Sequence, residues 1–583
     1  MPDPRGPQLP GSPGGRAPRR AGYADSEATR LLCAGTYLDD AFRDAIVQEL
    51  YVHEERVVAP SLGIDASRVL AHALRARRME SGAALLLVVL WLALLLATPL
   101  LGALFLLACV LVACASWAGG RSYGPVKTDY PGADATQERR RRITIILWLF
   151  SGMLLVLYAI MLIGVTAMGE RTVDPGIGMV GMVGASGGVR LYEGWAGLVV
   201  PLAMAGVILY RRHQVIGALT VELSPETFAR PEPDVAEQYE GTRFRRVRDL
   251  VNREQHSPLI MYHAQHPFLG AGSPYEPWTL AVQLRPREGQ EQTRLDNRVV
   301  LEKVAPLVTK LRVPAAQGPP HLPVEVRDRL RGLELDECVF VQAEGLRQRS
   351  AAPYGPGEFT RQQAEAVEEG GETRRHFLRI RVGAWREEVV VTVFVRVHTQ
   401  GGMLMLEFAP HVLRPIRPAF RAIDRIADSA RRSRAAGRVV SAFLEMPAAA
   451  GRALLYPFRQ VAFAWRIYVG AYDRAVPDGP WASVRELGSD QSASRFQEMD
   501  VSRYLKSVED RVAGGVRQAL AEAGWQTGEF EQKVINVSGG GVFIESARDS
   551  AIGIGDNHTI SNVRPAPGVG LGGGAGGDGN ATG

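Results

Sequence analysis

The apolar run Ala83–Ala118, AALLLVVLWLALLLATPLLGALFLLACVLVACASWA, decides the fold class of this chain. As one helix it would extend about 54 Å, whereas the hydrocarbon core of a bilayer is about 30 Å thick. Thr98-Pro99 lies near its middle, where proline removes a backbone donor and favours a break in the helix. The run therefore predicts two membrane spans, 83–98 and 100–118, joined by a tight hairpin.

Two further apolar runs predict spans at 143–168 and 194–210, which makes four spans within a membrane region of residues 81–213. Arginines cluster before the first and third spans and after the fourth, at Arg75, Arg77, Arg78, Arg139–Arg142, Arg211 and Arg212. The glycine-rich loop 169–193 has few basic residues. Because basic loops stay in the cytoplasm, the pattern predicts a multi-pass protein of the bacterial inner membrane with both termini cytoplasmic.

The four predicted spans contain no Asp, Glu, Lys, Arg or His. Ionisable groups within a membrane mark ion paths and proton relays, so their absence argues against an ion-coupled transporter and favours an anchor. An oligomeric pore or transport component is the alternative. Over the whole chain, 67 basic residues nearly balance 62 acidic ones, so no nucleic-acid partner is predicted.

Ahead of the spans, residues 1–25 form a Pro/Gly/Arg-rich leader that is predicted to be disordered, and residues 26–80 predict cytoplasmic helices. Leu31, Phe42 and Ile46 recur near a period of 3.6, and Asp65 can cap a second helix that begins at Ala66. His53 and His72 lie among acids and arginines. We interpret these two histidines as surface or partly packed residues rather than metal ligands.

After the fourth span, residues 214–435 predict an α+β domain with one face of its sheet covered by helices. Helices are expected at 296–311 and 416–434, and the last three strands are expected to form an antiparallel meander. The predicted strands are 278–284, 337–342, 376–382, 388–398 and 403–408. Alternation in HFLRIRV places Leu378, Ile380 and Val382 on one face of the sheet and Arg379 and Arg381 on the other.

This domain contains no motif that carries recognisable chemistry. His263 and His266 are three residues apart, but the prolines and glycines around them predict a loop with no third ligand nearby. Gly270-Ala-Gly272 lacks the third glycine and the strand–turn–helix setting of a dinucleotide site. We therefore predict no catalytic, cofactor-binding or metal-binding residue and no cofactor. An enzyme with scattered site residues in 214–435 stays a second alternative.

Several stretches resemble a group of uncharacterised multi-pass membrane proteins of actinomycetes. They are RLLCAGTYLDDAFRDAIVQEL, PSLGIDASRVLAHALRARR, HPFLGAGSPYEPWTLAVQL, LELDECVFVQ and HFLRIRVGAWREEVVVTVFVRV. The likeness extends over most of residues 26–560. It implies an architecture and a bacterial host, but no activity.

Residues 436–530 predict a further helical region. Within it, residues 438–472 are apolar and aromatic with interspersed arginines, which fits either the cytoplasmic surface of the membrane or a helical pair packed on the α+β domain. A short β-rich tail is predicted at 531–563, with Val534, Ile535 and Val537 as β-favouring residues, before a glycine-rich disordered end at 564–583.

Ile552-Gly-Ile-Gly-Asp-Asn557 within this tail resembles the core of RIP homotypic interaction motifs and their bacterial amyloid-signalling relatives. The matching positions are Ile552, Ile554, Gly555 and Asn557, while Gly553 replaces the usual Gln. The resemblance implies a self-assembly site, whereas the short strands by themselves favour a small β-hairpin or β-rung cap that packs locally or between subunits. Together, these features predict a non-enzymatic, membrane-anchored scaffold or signalling/interaction protein. Its expected partners are the lipid bilayer, other copies of itself and unknown proteins.

Overall fold

The structure is a computed structural model of the full chain. It describes residues 21–118, 133–168, 191–229, 234–238, 241–312, 330, 332–368, 374–383, 389–432, 434–469, 476–490 and 493–538. All helices, strands and buried clusters given below lie within these residues.

The N-terminal helices are α1 (Ala21–Ala24), α2 (Glu27–Leu38), α3 (Asp40–Val47) and the first turns of α4 (Ala66–Ala97). Asp65 caps α4 as predicted, because its carboxylate accepts hydrogen bonds from the amides of Ser67 and Arg68. The prediction for His72 was wrong, since this side chain is fully buried. Its Nδ1 atom forms a 3.0 Å hydrogen bond with the Tyr37 hydroxyl, and its Nε2 atom forms a 2.9 Å hydrogen bond with the Asp234 carboxylate.

Four helices form the apolar bundle: α4, α5 (Pro99–Ala118), α6 (Ala133–Met168) and α7 (Leu191–Gly217). Three of them are long and apolar enough to cross a membrane, by length and composition, and the apolar stretch Pro99–Ala115 of α5 is shorter. The four predicted spans are therefore not confirmed as a set, although each coincides with an apolar helix. The break between α4 and α5 falls at Thr98, as the proline predicts.

Short helices connect the bundle to the sheet. They are α8 (Pro225–Phe228), α9 (Val235–Gln238) and α10 (Thr242–Glu254). Phe244, Val247 and Val251 of α10 pack with the N-terminal helices in one buried cluster. The start of the predicted α+β domain therefore belongs structurally to the N-terminal helical region.

A single sheet of seven strands follows, in the order β1-β4-β5-β6-β7-β2, with β3 also paired to β7. Its strands are β1 (Leu259–Tyr262), β2 (Ser273–Pro274), β3 (Trp278–Gln283), β4 (Glu334–Gln342), β5 (Arg374–Gly383), β6 (Val390–Gln400) and β7 (Met403–Leu413). The β5–β6–β7 meander is antiparallel, as predicted. The only parallel pair among these strands is β1 with β4, and β1 was not predicted.

The remaining helices, in chain order, are α11 (Asn297–Thr309), α12 (Glu358–Glu368), α13 (Pro418–Arg421), α14 (Ile423–Arg432), α15 (Ala435–Ala453), α16 (Tyr456–Val469), α17 (Val484–Leu487), α18 (Arg495–Glu522) and α19 (Gly528–Ser538). Gly524, which has a φ of +78°, follows the end of α18 and provides the left-handed conformation that commonly ends a helix.

One face of the sheet packs against α11 and α18 and forms the largest buried cluster. Leu378, Ile380 and Val382 lie in this cluster as predicted. Residues of α18, beyond the boundary predicted at residue 435, complete this cluster, so the sheet packs with residues 495–522 as well. The opposite face is buried under the loop that carries Phe268, where Arg379 pairs with Asp336 at 2.5 Å.

Within residues 438–472, helix α15 packs on the apolar bundle, a contact that the sequence does not predict. Ala442, Met446 and Ala450 share a buried cluster with Trp91 and Phe105. The indole Nε1 of Trp91 donates a 3.0 Å hydrogen bond to the Ala450 carbonyl. A side chain at Gly451 would collide with the Cys109 carbonyl, so this glycine allows the close approach.

The first residues of the predicted β-rich tail are helical instead. Helix α19 includes Val534, Ile535 and Val537, which were expected in strands. The helix is held by Phe530, which is buried in the sheet core, and by Lys533, which donates to the Ala281 carbonyl at 3.1 Å. Tertiary packing overrides the β propensity of the three residues.

Candidate functional site

The carboxyl ends of two parallel strands position the first two residues of a polar cluster. Strands β1 and β4 are paired so that Tyr262 lies opposite Gln342. His263 directly follows β1, and Glu344 comes two residues after β4. The carboxyl ends of adjacent parallel strands are a common place for binding sites, because the loops that leave them converge at one edge of the sheet.

A segment from much later in the chain supplies the third residue. Residues 476–490, which we call the clasp, lie across the N-terminal helices and the loop after β1. The Val57 amide donates to the Asp478 carbonyl at 2.9 Å, and the Trp481 amide donates to Glu49 Oε1 at 2.8 Å. A Cβ at Gly479 would lie 2.3 Å from the backbone nitrogen of His263, so only glycine fits there. The clasp thereby brings Asp478 to His263.

The cluster consists of His263, Glu344 and Asp478. The Nε2 atom of His263 lies 3.6 Å from Glu344 Oε1 and 3.9 Å from Asp478 Oδ1. One potential ligand atom from each residue lies within 4.8 Å of the other two. The imidazole is buried, and the Trp481 ring covers it at a centroid distance of 4.8 Å. A nitrogen and carboxylate oxygens at such spacing could hold a divalent cation.

The hydrogen bond that His263 accepts favours a proton, and not a metal ion, on its Nε2 atom. Its Nδ1 atom accepts a hydrogen bond from the Gln265 amide at 3.2 Å, so the neutral ring carries its proton on Nε2, between the two carboxylates. A metal on Nε2 would move that proton to Nδ1 and break the bond to Gln265. One feature favours a cation: Glu344 Oε2 is buried without a hydrogen-bond partner among the described residues.

The Gly270-Ala-Gly272 stretch binds a carboxylate of its own chain. The amides of Gly270 and Gly272 each donate a 2.8 Å hydrogen bond to Glu486 Oε1 in the clasp. Burial raises the pKa of Glu486, although these two bonds oppose the rise. Both glycines have φ close to +100°, which other residues rarely adopt. The motif is thus a docking point for the clasp and not a phosphate loop.

Only His263 of this cluster stands out in the sequence. His266 stacks on His263 at 6.1 Å but lies outside the group of potential ligands. Glu344 and Asp478 were missed because they are distant in sequence, and only the parallel β1–β4 pair and the clasp bring them together. The predicted self-assembly positions Ile552, Ile554, Gly555 and Asn557 lie outside the described residues.

Part of the chain matches the model of a known protein family. No curated protein and no solved structure was found to be similar to it. The matched stretch begins just before β3 and therefore leaves out the apolar bundle, β1 and β2, but it includes α15, α16 and the clasp. Residues 277–551, somewhat less than half of the chain, match the model of the AbeC-like domain, an uncharacterised family.

Proposed function

We propose that this protein is a non-enzymatic, membrane-anchored scaffold or signalling/interaction protein of a bacterial inner membrane, and that it assembles or recruits partners through its cytoplasmic parts. The observation that carries the proposal is the continuity of α4. Its first turns, including Val69, Leu70 and Leu74, are buried among the N-terminal helices, and its later turns belong to the apolar bundle. Such a helix holds the soluble domain rigidly to its anchor.

Contacts between the first turns of α4 and the segment after α7 support four spans with both termini in the cytoplasm. Leu70 of α4 and Leu219, which follows α7, share one buried cluster. Arg75 of α4 also bonds Glu222 at 2.7 Å. A chain that enters and leaves a bilayer on the same side crosses it an even number of times. This parity supports α5, about 30 Å long, as a crossing helix beside the three longer ones. The basic flanks favour the cytoplasm for that side.

A pore is the alternative, and the packing of the bundle argues against a pore through a single copy. The rings of Trp91, Phe105 and Tyr158 pack against one another in its buried cluster, with centroid distances of 5.4 Å from Trp91 to Phe105 and 4.9 Å from Phe105 to Tyr158. Met204 is buried beside them. A conducting path would therefore have to run between copies. The second alternative, an enzyme, would use the His263 cluster, and a metal retained by the purified protein would favour it.

Self-assembly through the tail is the part of the proposal that can be tested most directly. We expect the full chain in detergent to sediment as an oligomer and Ile554→Asp to sediment as a smaller species, because a buried charge breaks a stacked β segment. Ala566→Asp adds the same charge outside the predicted motif and serves as the control. Identical monomers for all three proteins would overturn tail-driven assembly. Ion flux through vesicles containing the native chain would favour the pore instead.

A further inference from the structure

Helix α16 presents an apolar stripe that no other described residue covers. Five large side chains of this helix are 57–78% exposed: Phe458, Val461, Trp465, Tyr468 and Val469. At about 100° per residue these positions share one face of the helix. We call this face the α16 stripe. A contiguous apolar surface of this kind marks contact with another protein or with a membrane.

The opposite face of α16 is docked on the protein, so the helix is held in a fixed orientation. The guanidinium of Arg77 in α4 lies 3.6 Å from the centroid of the Phe463 ring. The Tyr456 hydroxyl donates to the Arg77 carbonyl at 3.3 Å. The contacts with Arg77 place α16 beside the basic stretch of α4, just before that helix becomes continuously apolar at Ala83.

Helix α15 connects the stripe to the apolar bundle. Its inner face packs on the bundle through the contacts of Trp91 and Gly451 described above. Its outer face exposes four large apolar side chains: Val439, Val440, Phe443 and Leu444. The bundle itself exposes apolar side chains along α4, α6 and α7, including Leu92, Leu149 and Leu202. The exposed apolar surface therefore continues from the bundle over α15 to the α16 stripe.

The charges beside the stripe fit an anionic lipid surface. Arg459 and Arg466 lie at the flank of the stripe and are exposed. Each keeps one polar contact to the N-terminal helical region, Arg459 with Asp44 at 3.1 Å and Arg466 with Gln48 at 3.4 Å. Long basic side chains place an apolar stem in the interface and a charged head among phosphates. Trp and Tyr, as at 465 and 468, favour the same boundary.

We propose that α15 and α16 form a hairpin in the cytoplasmic leaflet, with the outer face of α15 against acyl chains and the α16 stripe at the boundary between acyl chains and headgroups. The occupant of the stripe is the lipid bilayer. This inference rests on the proposed membrane anchorage. It adds a second attachment to the membrane, which would fix the orientation of the sheet domain there. The residues that form this attachment lie within the stretch that matches the AbeC-like domain.

The test uses the full chain with its four native cysteines replaced by alanine and a single new cysteine carrying an environment-sensitive fluorophore. The stripe is labelled in Trp465→Cys, an exposed position of α6 in Leu149→Cys, and an exposed position of α18 in Arg517→Cys. Each protein is reconstituted in vesicles of phosphatidylethanolamine and phosphatidylglycerol and is retained only if it elutes like the native chain. Quenching is measured with spin-labelled lipids and with aqueous iodide.

We expect lipid quenching at positions 465 and 149, with a blue-shifted emission at 465, and iodide quenching alone at 517. Iodide quenching at 465 would mean that the stripe faces water and would overturn the proposal. Protection of 465 from both quenchers would mean that protein covers it, with the same consequence. Failure of lipid quenching at 149 would instead refute the membrane anchorage, so the two proposals fail in different ways.

Discussion

At the scale of single residues, buried charge fixes the junction between the N-terminal helices and the segment that follows α7. Asp234 accepts hydrogen bonds from His72 at 2.9 Å and from Arg68 at 2.8 Å. Burial opposes ionisation of Asp234, but these bonds and the charge of His72 outweigh it, so its pKa lies well below the usual range. The depressed pKa means that ionised Asp234 stabilises the folded state.

We expect Asp234→Ala to lower the stability of the native chain by about 3 kcal/mol near neutral pH, because it leaves Arg68 and His72 without their shared partner. A carboxylate with a lowered folded pKa stabilises fully above its unfolded pKa of about 3.9 and loses this contribution as the pH falls towards the folded value. The gap between the unfolding temperatures of native and variant protein should therefore narrow below pH 4. A gap that is constant from pH 7 to pH 3 would contradict this account.

At the scale of elements, α11 and α18 approach each other closely enough to require one particular glycine. A Cβ at Gly515 would lie 2.6 Å from the Val304 Cα, whereas a Cβ at Gly514 would meet only Leu307 at 3.8 Å. Two adjacent glycines in one helix thus differ in what surrounds them. The pair offers a matched test of helix packing.

We expect Gly514→Ala to stabilise the chain by about 0.5–1 kcal/mol, because alanine restricts the unfolded backbone and favours a helix. Gly515→Ala should destabilise it by about 1–3 kcal/mol, because the added methyl forces α18 away from α11. Thermal unfolding of the two variants beside the native protein measures both effects. Changes of the same sign would show that the α11–α18 contact is looser than described.

Elements were predicted well where local pattern and packing agree. The β5–β6–β7 meander follows from period-two alternation and short glycine connections, and Asp65 marks the start of α4 by capping chemistry alone. Helix α19 was missed because its β-branched residues favour a strand locally. The packing of Phe530 in the sheet core stabilises a helix instead. Strand β1 was missed because four apolar residues carry no period, and its pairing with β4 is remote in sequence.

At the scale of the whole molecule, the proposed four-span topology predicts which loops are exported. Alkaline phosphatase, which is active only outside the cytoplasm, should be active when fused within loop 169–193 and inactive when fused within 119–132. Green fluorescent protein fused after residue 583 should fluoresce. The reason is the even number of crossings that we propose from the shared packing of α4 and the segment after α7. Phosphatase activity from loop 119–132 would contradict four spans.

The sequence by itself determined the apolar helices, the break at Thr98-Pro99, the meander and the absence of familiar catalytic motifs, because these depend on composition and on spacing within a few turns or strands. Only the tertiary structure decided that α15 packs on the apolar bundle, that α18 completes the sheet domain, and that the clasp unites His263, Glu344 and Asp478. Those arrangements depend on contacts between residues far apart in the chain. Local sequence patterns do not show which distant surface packs against a helix face or which distant residue pairs with a buried charge.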